Sequence, residues 1–180
     1  MQLILPLKHW QLFLILLFFY FFSRISGYVG VIAGLIITLI FLAWIWSIGA
    51  YGQKRLAAKG IPSNSTGLLT FNIIYLSVFS IVASIVLAQS QDLYNLPATN
   101  TVVFWIFQGY AIFALLHSVW FAARTLSVSV NAGKFSWETA LKFVIFLLLP
   151  IIGIWDIQPI VNKWSPKHWY DKHDDLKSTA

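Results

Sequence analysis

The chain has 180 residues, of which 59 % are hydrophobic and only 10 % charged, with a formal net charge of +6 and a mean hydropathy of +0.77. A soluble domain of this size cannot hide so much apolar surface, so the composition excludes an ordinary globular fold and points to a bilayer as the solvent. Lysine and arginine sit just beyond the ends of apolar stretches, a pattern of membrane topology and not of nucleic-acid binding, and the absence of cysteine rules out disulfides, thiolate metal sites and cysteine nucleophiles.

Five apolar stretches follow one another: Trp10–Phe22, Tyr28–Ala50, Leu68–Leu87, Thr101–Ala123 and Phe143–Trp155. A hydrocarbon core of about 30 Å takes roughly 20 helical residues. The middle three stretches meet that length, whereas the outer two reach it only by recruiting polar flanks. The sequence therefore predicts an all-α, polytopic transmembrane helical bundle of about five hydrophobic helices, the first and last short or re-entrant. It forms a single transmembrane domain over 1–164, with a short polar tail over 165–180.

The first stretch, preceded by Lys8, has the length of a signal-peptide core. The segment from Ser23 to Tyr28 offers no clear pair of small residues for cleavage, however, and another apolar segment begins at once, so the stretch is read as a retained helix. On the second helix Gly27, Gly30 and Gly34 make a glycine face whose spacing predicts close helix–helix packing. The loop from Gly60 to Thr66 supplies N-cap candidates for the third helix, on which Ser77, Ser80, Ser84 and Ala88 form a second small-residue stripe. Asn64-Ser-Thr66 matches a glycosylation acceptor but falls in a loop assigned to the cytoplasm. Pro97 to Asn100 caps the fourth helix, which carries the stripe Ala111, Ala114, Ser118 and Ala122; Ser136 caps the fifth, with Glu138 in its first turn. The stripes serve packing within one bundle, and the glycine face is the candidate for a subunit or partner interface. The tryptophans lie mostly near predicted helix ends, as an aromatic belt does.

The basic residues orient the bundle. With five crossings, one side carries Lys8, then Lys54, Arg55 and Lys59, then Arg124, Lys134 and Lys142; the other has only Arg24 before the tail. This places the N-terminus in the cytoplasm. Lys163, Lys167, Lys172 and Lys177 would then lie outside. Either the tail is translocated, with Asp171, Asp174 and Asp175 beside those lysines, or the last segment dips in and returns. The full crossing is the reading adopted, because a helix from Trp137 to Asp156 is roughly 30 Å long and Lys142 can snorkel to the surface.

His117 lies deep in an apolar helix, with Tyr110 and Arg124 a heptad away on nearly the same face. Such a group usually faces the bundle interior, here against Ser77, Ser80 and Ser84, with Arg124 at the mouth of the seam. A satisfied structural histidine and a proton, ligand or gating role both remain open. His9, His168 and His173 are too near interfaces or the tail to complete a haem site, and the region from Lys167 to Asp175 has no helix-locked pair of metal ligands. Asp156 touches an apolar segment that Pro150 and Pro159 should kink, and a full fifth crossing would deliver it to Arg24 as an ion pair. No GxSxG, Walker loop, HExxH or intramembrane carboxylate pair is present.

Four short patterns, Leu7-Lys-His-Trp-Gln-Leu-Phe13, Trp46-Ser-Ile-Gly49, Ala122-Ala-Arg-Thr-Leu126 and Gly153-Ile-Trp-Asp-Ile-Gln-Pro-Ile-Val-Asn162, resemble a group of small polytopic inner-membrane proteins of Bacteroidetes-type bacteria. The resemblance implies this topology and a bacterial inner membrane, and supplies no activity. The chain departs from the pattern at Asp156, where an apolar residue is expected. The functional expectation is a non-enzymatic membrane protein acting through helix–helix association, as a homo-oligomer or as the membrane subunit of a larger assembly. Its partners are the lipid bilayer and another membrane protein, not nucleic acid. The alternatives are a small channel or transporter with a polar path near His117 and, last, an intramembrane lipid-modifying enzyme. No catalytic residue, cofactor or metal is assigned.

Overall fold

The computed structural model describes residues 7–89 and 98–164, with side chains at all of these except 87–89 and 98–104. The polar tail and Pro97 lie outside the described residues, as does the Ala88 side chain. Every regular element among the described residues is a helix: α1 His9–Phe22, α2 Tyr28–Ala58, α3 Gly67–Gln89, α4 Ala98–Val130, α5 Trp137–Leu148 and α6 Pro150–Asn162. Three spans, Tyr28–Ala58, Gly67–Val86 and Trp105–Val130, are long and apolar enough to cross a membrane. The chain is a helical-bundle membrane protein.

Local chemistry sets the helix ends. Gln11 accepts from the Lys8 backbone N–H at 2.9 Å and starts α1. Gly27, which precedes α2, has φ +81°, a conformation open to glycine at no steric cost. Ser136 caps α5 by accepting from the Thr139 N–H. The α4–α5 turn passes through Ala132 and Gly133 at positive φ, and the Ser127 hydroxyl clamps it by donating to the Ser136 carbonyl at 2.9 Å and accepting from the Ser136 N–H at 3.2 Å.

α2 is the central element, packed on α1, α3 and α4, while α5 and α6 bridge from α4 back to α1. Its buried residues Trp44, Ile45 and Ile48 belong to the same apolar core as Ala114 and Ala122 of α4, and Ala114, Ser118 and Ala122 are all wholly buried. The α4 stripe is thus used up inside the chain.

The predicted fifth crossing is corrected. Leu149 takes φ −111° and ψ 70°, which ends α5, and Pro150 has no N–H with which to continue it. A Cβ on Gly153 would lie 3.1 Å from Phe146 Cα and nearer still to its carbonyl, so α6 folds back along α5. Both ends of this hairpin sit at one end of the bundle. α5 begins beside Ser127, close to Thr125, which is bonded to Gln53 of α2. α6 finishes where the Arg55 guanidinium donates to the Lys163 carbonyl at 2.9 Å and Gln158 donates to the Leu7 carbonyl at 3.0 Å. Lys8, Lys54, Arg55, Lys59, Arg124, Lys134 and Lys163 therefore gather at one end, and Arg24 stands at the other.

Candidate functional site

Three neutral carboxamides, none of them singled out by the sequence reading, organise the interior. Asn72 of α3 is fully buried. It accepts from the Tyr110 hydroxyl at 2.9 Å and its amide nitrogen lies 3.0 Å from His117 Nδ1. This orientation makes Nδ1 an acceptor and leaves the imidazole proton on Nε2. Phe113 and Phe121 flank the half-buried imidazole at 6.0 and 6.3 Å between ring centroids. Tyr75 adds a further α3–α4 tie by donating to the Phe107 carbonyl at 2.8 Å. His117 and Tyr110 do share a seam, but its centre is Asn72 and not the serines. Ser77 turns its hydroxyl back to the Ile73 carbonyl at 2.8 Å, Ser80 and Ser84 are half-buried, and none of the three bonds to His117. Arg124 is not at the mouth of the seam; it is exposed, with its guanidinium 5.8 Å from the Phe135 ring.

Gln53 and Gln158 do the same work at the basic end. Gln53 donates to the Thr125 hydroxyl at 2.8 Å and accepts from the Asn64 N–H at 2.7 Å, joining α2, α4 and the α2–α3 loop. Gln158, wholly buried, accepts from the Trp44 indole N–H at 2.9 Å and donates to the Leu7 carbonyl and to Asn162, both at 3.0 Å. Trp44 is therefore a core residue with a polar handle and no part of an aromatic belt. No buried side-chain nitrogen or oxygen among the described residues lacks a partner. Asn72 is a carboxamide inside the apolar stretch Leu68–Leu87, whereas Gln53 and Gln158 lie just beyond the ends of theirs, where a polar side chain is unremarkable in sequence.

The glycine face of α2 meets no other helix of its own chain. A Cβ on Gly30 would strike the Ile25 carbonyl, and Gly34 has only the Ser23 Cβ within reach, at 3.9 Å, so within the chain Gly30 and Gly34 face the turn between α1 and α2. Close helix–helix approach on α2 occurs instead at Gly49, against Leu69 and Phe121, and at Gly52, against Thr125 and Trp164.

The expected Arg24–Asp156 pair is not formed. Because α6 returns, Asp156 is exposed beside Trp155, whose ring lies 4.8 Å from that of His9 at the start of α1. Arg24 lies beyond the far end of α1, on the order of 20 Å away along the helix, and donates to the Tyr20 hydroxyl at 2.7 Å.

Under the hairpin lies a cavity of about 570 Å³. α1 contributes Phe13, Leu16, Leu17 and Tyr20, α2 contributes Ile37, Thr38 and Phe41, and the hairpin tip contributes Leu148 to Ile152 with Ile154. Its cause is length. The 12 residues of α5 extend about 18 Å against a hydrocarbon core of about 30 Å. The hairpin stops short, and the space beyond its tip is walled by α1 and α2. The lining hydroxyls are engaged, Thr38 with the Gly34 carbonyl at 2.9 Å and Tyr20 with Arg24. The tip presents Leu149, Ile151 and Ile152, each more than half exposed, an apolar patch of the kind that meets lipid or another protein. The volume is that of a small-molecule site. Comparison with protein-family models, curated proteins and solved structures returned no match. Among the described residues, no three His, Cys, Asp or Glu side chains are grouped as a metal site requires.

Proposed function

We propose that the chain is a non-enzymatic lipid-binding protein of a bacterial inner membrane, and that the groove beneath the α5–α6 hairpin holds one hydrocarbon chain of a bilayer lipid. The observation that carries this is the groove itself, almost wholly apolar, walled on three sides, and flanked on α2 by residues in the middle of a span long and apolar enough to cross a membrane. Broken helices at such depth are where membrane proteins assemble ligand sites. The basic end of the bundle, with both Leu7 and Lys163, is the cytoplasmic face by the positive-inside rule.

Native mass spectrometry of protein released from mild detergent tests the reading. The wild-type chain should retain about one lipid per protomer, and Leu17→Trp or Ile37→Trp, which fill the groove, should release it without lowering the melting temperature. Equal retention by wild type and both variants would remove the reading.

Association in the membrane is the second reading, as a homo-oligomer or within a larger assembly, and α3 supports it. With the small stripes of α2 and α4 taken up by the turn and the core, Ser80 and Ser84 stay half-buried on a helix whose outer face is apolar. Ser80→Leu with Ser84→Leu should then reduce the particle size in detergent, and an unchanged size would remove this reading.

A further inference from the structure

We propose that the groove selects a phospholipid with an anionic headgroup, the phosphate being held by Arg24 with Tyr20 at the groove's outer mouth. This rests on the lipid-binding reading above and adds the headgroup chemistry to it.

The charge pattern is the first support. Residues 1–91 contain no Asp or Glu, and Arg24 is the sole Lys or Arg between Lys8 and Lys54. The carboxylates among the described residues are Glu138, in the first turn of α5, and Asp156, and the hairpin holds both at the basic end. Among the described residues, then, no carboxylate meets Arg24. A guanidinium at a membrane surface is kept there by something of opposite charge or by water, and a phosphate is the anion a bilayer supplies at that depth.

Placement is the second support. Tyr20 lines the groove, and Arg24 is held over it, one N–H on the hydroxyl at 2.7 Å and Cζ 4.9 Å from the ring centroid. Guanidinium has five N–H donors in a planar fork, so most remain to grip a phosphate bidentately. The Tyr20 oxygen accepts from Arg24, which leaves the phenol proton to donate to the same anion. The α2 N-terminus follows within the same turn. Gly27 offers it no side-chain cap, and its first turn has no acidic residue, so its N–H groups add positive potential facing the same surface. From Tyr20 down to Phe13 the α1 wall is about 10 Å long, which seats the upper part of an acyl chain directly beneath the phosphate.

The test is lipid competition in nanodiscs read by native mass spectrometry, using phosphatidylglycerol and phosphatidylcholine with identical acyl chains, with wild type, Arg24→Gln, Arg24→Lys, Tyr20→Phe and Leu17→Trp. Both lipids offer Arg24 a phosphate, but choline sets a fixed cation beside the guanidinium and offsets the attraction, so wild type should retain phosphatidylglycerol over phosphatidylcholine by about tenfold. Arg24→Gln should bring that ratio to near one while still retaining lipid; Arg24→Lys should restore part of it, and Tyr20→Phe should lower it less. Excess glycerol phosphate, which lacks chains, should not compete. A preference that survives in Arg24→Gln overturns the headgroup assignment and leaves the groove standing. Retention unaffected by Leu17→Trp overturns the groove reading itself. If Arg24→Gln does not fold, an unchanged ratio in both Arg24→Lys and Tyr20→Phe overturns the assignment in its place.

Discussion

Gly153→Ala should destabilise the protein, against the usual effect of that substitution. In an ordinary helix interior, alanine is favoured over glycine by about 1 kcal/mol. At position 153 the added Cβ meets the Phe146 backbone, with Cα at 3.1 Å and the carbonyl closer. No rotamer change moves a backbone. α5 and α6 must therefore separate, prying apart Leu147 and Ile154, both wholly buried. Overpacking of this kind costs about 1–3 kcal/mol. A matched control lies in α4, where Gly109 is exposed and a Cβ would meet nothing within 4 Å; there alanine should be neutral or stabilising by up to about 1 kcal/mol. The two variants should therefore differ by on the order of 1–4 kcal/mol. Thermal unfolding in mild detergent, followed by tryptophan fluorescence and by loss of the monodisperse peak on size exclusion, reads the difference directly. A Gly153→Ala protein as stable as Gly109→Ala would show that α6 does not return along α5, and the groove would lose its wall.

Single cysteines in this cysteine-free chain should label from opposite faces of the membrane at Ile25→Cys and Lys163→Cys, and from the same face at Lys59→Cys and Lys163→Cys; same-side labelling of positions 25 and 163 would restore a full fifth crossing. Asn72→Leu should cost about 1–2 kcal/mol, since it removes the shared partner of Tyr110 and His117, and His117→Leu should add little in that background, which a double-mutant cycle in thermal stability checks. Gln158→Leu removes the acceptor of the Trp44 indole N–H and the tie from α6 to the Leu7 carbonyl, so it should cost about 1–3 kcal/mol and raise hydrogen exchange selectively over residues 9–12.

Apolar run lengths and loop punctuation made the helical bundle legible before any coordinates, because hydropathy and helix caps are local properties. The three long spans, the Ser136 cap and the break near Pro150 all lie in that class. What the sequence could not convey was the angle at the break. A proline marks where a helix stops, and only the contact between Gly153 and Phe146 says that the chain reverses. The ion pair between Arg24 and Asp156 failed with that angle, as did the placement of Lys163. The glycine face shows a related limit of spacing: Gly27, Gly30 and Gly34 mark a face without side chains, and spacing does not distinguish a neighbouring helix from the turn at Ser23–Ile25 that Gly30 and Gly34 face within the chain. For the polar seam the pairing of His117 with Tyr110 was visible as a heptad, while Asn72, on a different helix, could be joined to them only in three dimensions.

One break in the chain accounts for both the topology and the cavity. If α5 and α6 were continuous, Lys163 and the lysines that follow it in sequence would be carried away from Lys8, Arg55 and Arg124, against the charge asymmetry. With the reversal at Leu149–Pro150 Lys163 returns to the basic end, and the helical wall that would have flanked α1 and α2 across the second leaflet is missing. That leaflet is the one Arg24 borders. On the proposed lipid-binding reading an acyl chain fills the gap, with Leu16, Ile37 and Ile151 as its hydrocarbon wall and Tyr20 with Arg24 as the polar rim. A straight fifth helix would close that space, so opening of the hairpin should abolish lipid retention, and lipid should in turn hold the hairpin closed.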